Sequence, residues 1–216
     1  AGFFLSSTWS YLPEGSICLA VVDPGVGTDR RILLLEAEGK YVLVPDNGLI
    51  SLLLEQLGGY SIYSVFYSQL EEWVSSTFHG RDVFAPAAAK LASGVGMREL
   101  GESISREQIA RLYSMQPQQT DSGVFATVLH IDQFGNCITN LSSEKWSIRV
   151  KKAEALQLPD REFPLHPVGA YEQIPESSIG ILQSSQGYLE LAKNRASCAK
   201  SLALDIGDSL SIQLRD

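Results

Sequence analysis

The sequence predicts a two-domain protein: an α/β N-terminal domain with a mostly parallel sheet, followed by a small, mostly-β, barrel-like C-terminal domain. Three observations predict it. In the first half, short runs rich in Val, Ile and Leu alternate with helical stretches, which is the pattern of an α/β layer fold. At 115–123 the stretch MQPQQTDSG collects Pro, Gln, Ser and Gly without apolar periodicity, as linkers do. Beyond it come short strands separated by turn residues. The expected organisation is therefore a first domain over 1–114, a linker over 115–123 and a second domain over 124–216. A chain of 216 residues of which 44% are apolar has enough for two modest cores.

In order, SICLAVV (16–22), ILLLEA (32–37) and YVLVP (41–45) read as strands. Asn47 reads as the N-cap of a helix through LISLLLEQL, stopped by Gly58 and Gly59. YSIYSVF (60–66) returns to strand. Asp82 is placed to cap a helix through VFAPAAAKLAS, with Pro86 in its first turns and Gly94 as its stop, and Arg106 to Tyr113 makes a further short helix. In the second half VFATVLHID, NCITN, WSIRV, SIGILQ, YLELA and SLSIQL read as strands, with one small helix near Arg195 to Leu202.

Charge and composition narrow the function. Lys and Arg number 17 against 25 Asp and Glu, a net charge of −8 with no basic run, so a nucleic-acid partner is not expected. No apolar run approaches the roughly 20 residues that span a bilayer, so no membrane partner is expected either. Cys18, Cys137 and Cys198 are widely spaced, with no CxxC pair, and read as free core thiols suited to a cytoplasmic location. GxGxxG, Walker, HExxH and GxSxG patterns are all missing from the sequence.

Four segments are polar where a fold alone does not require it. VVDPGVGTDRR (21–31) places Asp23 at the C-terminal edge of a strand, where open α/β sheets hold ligands. Gly25 and Gly27 follow it, and Arg30 lies seven residues beyond Asp23; a plain Pro-Gly turn with an Asp bonding its own backbone is the competing reading. In PDNGLI (45–50), Asn47 is explained about equally well by capping. STFHGRDVFAPAAA (76–89) sets Phe78, His79, Gly80 and Arg81 just before a helix N-terminus, which favours negative charge, although a lone His is more often structural. In HIDQFGNCITN (130–140), Asp132 can take an ammonium, Phe134 can stack on a planar ring and Asn136 can read a base edge; a strand followed by a Gly turn is the alternative.

Taken together and in order, DPGVGTDRR, PDNGL, TFHGRDVFAPAAA, DQFGN and SSQGYLELA resemble the S-adenosyl-L-methionine (SAM) hydroxide adenosyltransferase family, which is related to the fluorinases and chlorinases. The resemblance runs over essentially the whole chain. It implies hydrolysis of SAM at the ribose C5′ by an activated water, giving adenosine and L-methionine, with SAM as substrate and with no cofactor and no metal. It also implies a homotrimer with sites shared between neighbouring subunits.

Carried over residue by residue, the resemblance makes Asp23, Arg30 and His79 the group that holds and activates water, with Phe78, Gly80 and Asn47 beside the substrate. Asn136 resembles the reader of the adenine edge, Phe134 and Tyr171 flank the adenine or the methionine chain, and Asp132 and Ser185 match positions that hold the methionine amino and carboxylate groups. The halogenases have Arg after that Ser where this chain has Gln186, which implies a weaker or rearranged carboxylate grip. They also replace the DPGVG Asp and its loop to leave a small halide pocket; Asp23 fills that space here, and a carboxylate repels halide but accepts a hydrogen bond from water. A SAM-dependent halogenase and a non-catalytic SAM- or adenosine-binding protein are the alternative functions. The sequence opens with AGFFLSSTWSYLPEGS, without the strand and TDFG-type motif whose Asp grips the ribose in family members, so the N-terminal domain is expected to be incomplete.

Overall fold

A computed structural model describes residues 1–67, 74–112 and 116–215. The chain divides into two compact units, Ala1–Leu112 and Tyr113–Asp216.

The first unit is built on a five-stranded sheet of β1 (Ile17–Leu19), β2 (Ile32–Ala37), β3 (Lys40–Pro45), β4 (Ser61–Val65) and β5 (Gly101–Ser103), ordered β1-β3-β2-β4-β5. Alternate residues feed two cores. Leu33, Leu35, Val42 and Val44 face α1 (Gly2–Thr8) and α2 (Ser51–Leu54), packing with Leu5, Trp9, Ile50 and Leu53. Ile32, Leu34 and Leu43 face α3 (Ala85–Ala92), packing with Val83, Phe84 and Ala87. A continuous ILLL run is thus explained by burial on both faces of the sheet.

The sheet is mixed, which corrects the expectation of a mostly parallel one. β1 runs parallel to β3, whereas β2–β3, β2–β4 and β4–β5 are all antiparallel. The cause lies in two residues: Glu38 and Gly39 have φ of 55° and 70°, the left-handed pair that closes a tight hairpin and turns β2 straight back into β3.

Other elements also differ from expectation. β1 stops at Leu19, so Asp23 stands in the loop beyond the strand and not at its edge. Asn47 does not cap a helix; α2 starts at Ser51 and ends at Leu54, before Gly58. The helix after FHG begins at Gly80 as a π-helical turn, Gly80–Phe84, and only then becomes α3, so Asp82 lies inside the helical segment. Gly94 does stop α3, its φ being 93°. Near 106–113 only a 3₁₀ turn, Arg106–Gln108, forms among the described residues, and Tyr113 lies outside them. A short helix α4 (Met97–Leu100) leads into β5.

The second unit is a barrel of β7 (Gly123–Ile131), β8 (Cys137–Ser142), β9 (Ala153–Gln157), β10 (Glu162–Pro167), β11 (Ile179–Gln183), β12 (Tyr188–Ala192) and β13 (Ser209–Leu214), closed by β13 pairing with β7. β6 (Gln118–Gln119) pairs with β7, so part of the stretch read as a linker is strand. WSIRV is not a strand: α5 (Ser143–Trp146) and a 3₁₀ turn, Arg149–Lys152, occupy it. Trp146 and Val150 are buried while Ile148 is exposed, a four-residue spacing that suits a helical stripe. Cys137 and Cys198 lie in the barrel core as free thiols, Cys198 opening α6 (Cys198–Leu202).

Candidate active site

In the first unit Arg30 is the hub of a buried polar cluster. Its Nε donates to Asp23 Oδ2 at 2.8 Å, and its Nη2 donates to the same oxygen. The Nη2 also meets His79 Nδ1 at 2.8 Å, and Nη1 donates to the Tyr67 hydroxyl at 2.5 Å. Tyr67 returns a hydrogen bond from its hydroxyl to the Arg30 carbonyl at 2.9 Å, and the Arg30 guanidinium lies 5.8 Å over the Phe84 ring. The Asp23 and Arg30 side chains are only 5% and 8% exposed, so the pair works in a low-dielectric setting. Asp23 Oδ1 is buried and has no hydrogen-bond partner among the described residues. A buried acceptor left open is costly unless something uses it.

The contact with Arg30 settles the His79 tautomer. Arginine only donates, so Nδ1 accepts and the ring proton of the neutral imidazole sits on Nε2. Burial first and then the Arg30 charge push His79 below its ordinary value of 6.5, against weaker pulls from Asp23 and Asp82. Burial likewise pushes the Tyr67 phenol up. Because the folded protein resists protonating His79, the unfolded chain takes up the proton first as pH falls. Stability therefore declines as pH drops below 6.5, down to the folded-state value. Urea unfolding of the wild type and His79→Gln between about pH 8 and about pH 5 checks this; the wild type is expected to lose stability on the acid side and the variant to lose less.

The loop around this cluster is set by close approach. Gly27 has φ of 81°, and a Cβ there would stand 2.6 Å from the Ser76 carbonyl oxygen, so the DPGVG segment can lie against the chain leading to His79 only as glycine. Gly27→Ala is expected to lower stability by about 1–3 kcal/mol and to reduce activity, as read from the urea midpoint and from rate per folded molecule. Asn47 is engaged in the same region: its Nδ2 donates to the Val22 carbonyl at 2.9 Å and its Oδ1 accepts from the Leu49 N–H at 3.2 Å. It ties two loops together. Gly80 packs near the Val21 side chain, and Phe78 is 59% exposed with the Arg81 guanidinium 5.1 Å over its ring.

In the second unit the β7–β8 turn carries Asp132, Phe134 and Asn136. Asp132 Oδ1 accepts from the N–H groups of Phe134 and Asn136 at 2.9 and 2.8 Å, and Oδ2 accepts from Asn136 Nδ2 at 3.0 Å. The turn is thereby rigid, with Asn136 buried and Phe134 projecting to solvent. Tyr171, half-exposed on the 3₁₀ turn Tyr171–Gln173, donates its hydroxyl to Glu190 Oε1 at 2.5 Å. Ser185 is exposed on the β11–β12 turn, where Ser143 N–H bonds the Gly187 carbonyl. That is the far end of β8 from Asp132, so the structure does not gather Ser185 with the Asp132 turn.

Sequence reading missed Tyr67 and Glu190. No local pattern marks Tyr67, which follows β4; a buried Glu within YLELA reads as the polar half of an alternating strand. Among the described residues no three His, Cys, Asp or Glu gather as a metal site, and no helix is long and apolar enough to cross a membrane.

Comparison with known proteins adds an independent line. Residues 1–101 match the SAM hydroxide adenosyltransferase N-terminal domain and residues 126–211 match its C-terminal domain. The chain is 38% identical, over 96% of its length and 79% of the relative's, to the (R)-S-adenosyl-L-methionine hydrolase of Thermus thermophilus. It is 29% identical, over 94% of its length and 78% of the relative's, to a fluorinase from an Actinoplanes species. A crystal structure of an uncharacterized conserved protein from Thermotoga maritima superposes with a TM-score of 0.84 at 28% identity, over 98% of this chain and 82% of that one.

Proposed function

The chain belongs to the SAM hydroxide adenosyltransferase family, and from that premise we propose that it hydrolyses SAM at the ribose C5′, releasing adenosine and L-methionine. The observation that carries the chemistry is the buried, unpartnered Asp23 Oδ1 beside an arginine that also engages His79.

In this reading a water donates one hydrogen to Asp23 Oδ1 and attacks C5′ on the line opposite sulfur. The C5′–S bond breaks with its electron pair going to sulfur, the sulfonium becomes the neutral thioether of methionine, and the proton bonded to Oδ1 passes to Asp23 while the water's other hydrogen stays on oxygen as the 5′-hydroxyl of adenosine. Arg30 fixes the carboxylate by bonding only Oδ2, leaving Oδ1 for the water, and its charge favours a hydroxide-like nucleophile. His79, with its proton on Nε2, offers a donor to the water oxygen. The attack joins a developing anion to a cation, so a dry pocket assists it, and a positioned proton acceptor is worth about 10²- to 10⁴-fold. No cofactor and no metal enter this sequence of steps.

On the second unit, Asn136 and the Phe134 and Tyr171 rings are assigned to the adenosine half, and Asp132 to the methionine ammonium. Asn47, Phe78 and Gly80 are assigned to substrate contacts on the first unit, and Ser185, at the far end of β8 from the Asp132 turn, is given no contact with the methionine that Asp132 holds. The same reading makes the protein a cytoplasmic homotrimer with sites between neighbouring subunits. Exposed Val21, Val22 and Phe78 around the Asp23 cluster support a covered surface there, and three free thiols support a reducing compartment.

The test is product analysis by chromatography after incubation with SAM, with and without chloride or fluoride. Adenosine and methionine in equal amounts, indifferent to halide, are expected. A 5′-halo-adenosine would move the chain to the halogenases, and SAM binding without turnover would leave a binding protein.

A further inference from the structure

Glu190 occupies a position where the fold asks for an apolar residue. On β12, Leu189 and Leu191 point into the barrel core, so Glu190 and Ala192 point outward. That outer face is covered: Ala192 and Leu182 pack with Ile174 and Val168 of the segment carrying Tyr171, and Leu182 lies directly across from Glu190. Glu190 is 3% exposed. A leucine there would extend the apolar cluster, whereas a buried carboxyl costs free energy unless its bonds are used. Among the described residues no Lys or Arg pairs with it, and its hydrogen bond is to the Tyr171 hydroxyl.

The covering turn is seated on the sheet from two sides. Gly180 lets Ile174 press against the strand, since a Cβ there would stand 2.5 Å from Ile174 Cγ1. Glu190 takes the Tyr171 hydroxyl. The ring between these anchors stays about half-exposed, and the negative charge of Asp132 acts on both Tyr171 and Glu190. The phenol is held protonated, pushed up to about 12 first by its bond to Glu190.

We propose that Glu190 is a positioning residue: it locks the Tyr171 ring as a fixed wall beside the Asp132 turn, against which the adenosine half of the substrate packs. The inference rests on the hydrolase reading for its substrate. Fixing a half-exposed aromatic before binding removes an ordering cost from the complex, so the effect belongs in ground-state affinity and leaves the bond-breaking step to the Asp23 cluster.

The test measures adenosine affinity by titration calorimetry, together with KM and kcat for SAM, in the wild type, Glu190→Gln, Glu190→Leu, Tyr171→Phe and the Leu/Phe double variant. Glu190→Leu and Tyr171→Phe are each expected to weaken adenosine binding and raise KM about tenfold, the worth of one hydrogen bond to a charged group, with kcat within about threefold. Glu190→Gln, which still accepts from the phenol, stays within about threefold of wild type, and the double variant is no worse than either single one. Unchanged adenosine affinity in Tyr171→Phe, which leaves β12 intact, overturns the proposal, as do additive losses or a fall in Tm alone. A wild type that binds adenosine without turning over SAM refutes the hydrolase reading, while the affinity series still decides the role of Glu190.

Discussion

Asp23→Asn is expected to lower kcat for SAM hydrolysis by about 10²- to 10⁴-fold while leaving KM within a few-fold. The amide keeps the volume and can keep one bond with Arg30, so the fold around the loop is expected to survive. What it loses is the second acceptor oxygen, Oδ1, which is buried and unpartnered beside the position assigned to water. An amide NH₂ turned to that side donates where the water must also donate, and it cannot take the proton. Steady-state rates normalised to folded protein, with the fold checked by circular dichroism, read the effect. A kcat within a few-fold of wild type would remove Asp23 from water activation.

Arg30→Leu is expected to abolish measurable turnover and to lower stability by about 3–5 kcal/mol. Both partners are buried, and deleting the cation leaves the Asp23 carboxylate desolvated and alone. The same change strips the Tyr67 hydroxyl and His79 Nδ1 of their donor. Arg30→Lys is expected to fail as well, though at a smaller stability cost, because one ammonium cannot reproduce the fork that reaches Asp23, His79 and Tyr67 together. Urea denaturation gives the stability change. The double variant Arg30→Leu/Asp23→Leu is expected to recover part of it, since removing both charges removes the stranded carboxylate.

Much of the architecture was legible where local rules and the fold agree. β2 lies over 32–37 as read, because a run of four aliphatics buried on both faces has no other place to go. The parallel expectation failed at Glu38 and Gly39, where two left-handed residues outweighed the reading of alternating strand and helix. WSIRV failed because a five-residue run fits a period of two and a period of four alike, and only the exposure of Ile148 between buried Trp146 and Val150 separates them.

In the candidate site, Asp23 and Arg30 are near enough in sequence for a turn to join them. His79, 49 residues from Arg30, was reached through the family resemblance and not through any spacing. Tyr67 and Glu190 were invisible because their significance is tertiary. One is defined by the arginine it clamps, the other by a segment folded over the outer face of its strand.

Water is the proposed nucleophile at C5′. Turnover of SAM in ¹⁸O-enriched water, with the adenosine product analysed by mass spectrometry, tests it most directly. One heavy oxygen is expected in adenosine, on the 5′ carbon, in every turnover, at a rate unaffected by added fluoride or chloride. Unlabelled adenosine, or a 5′-halo product formed in its place, would contradict it.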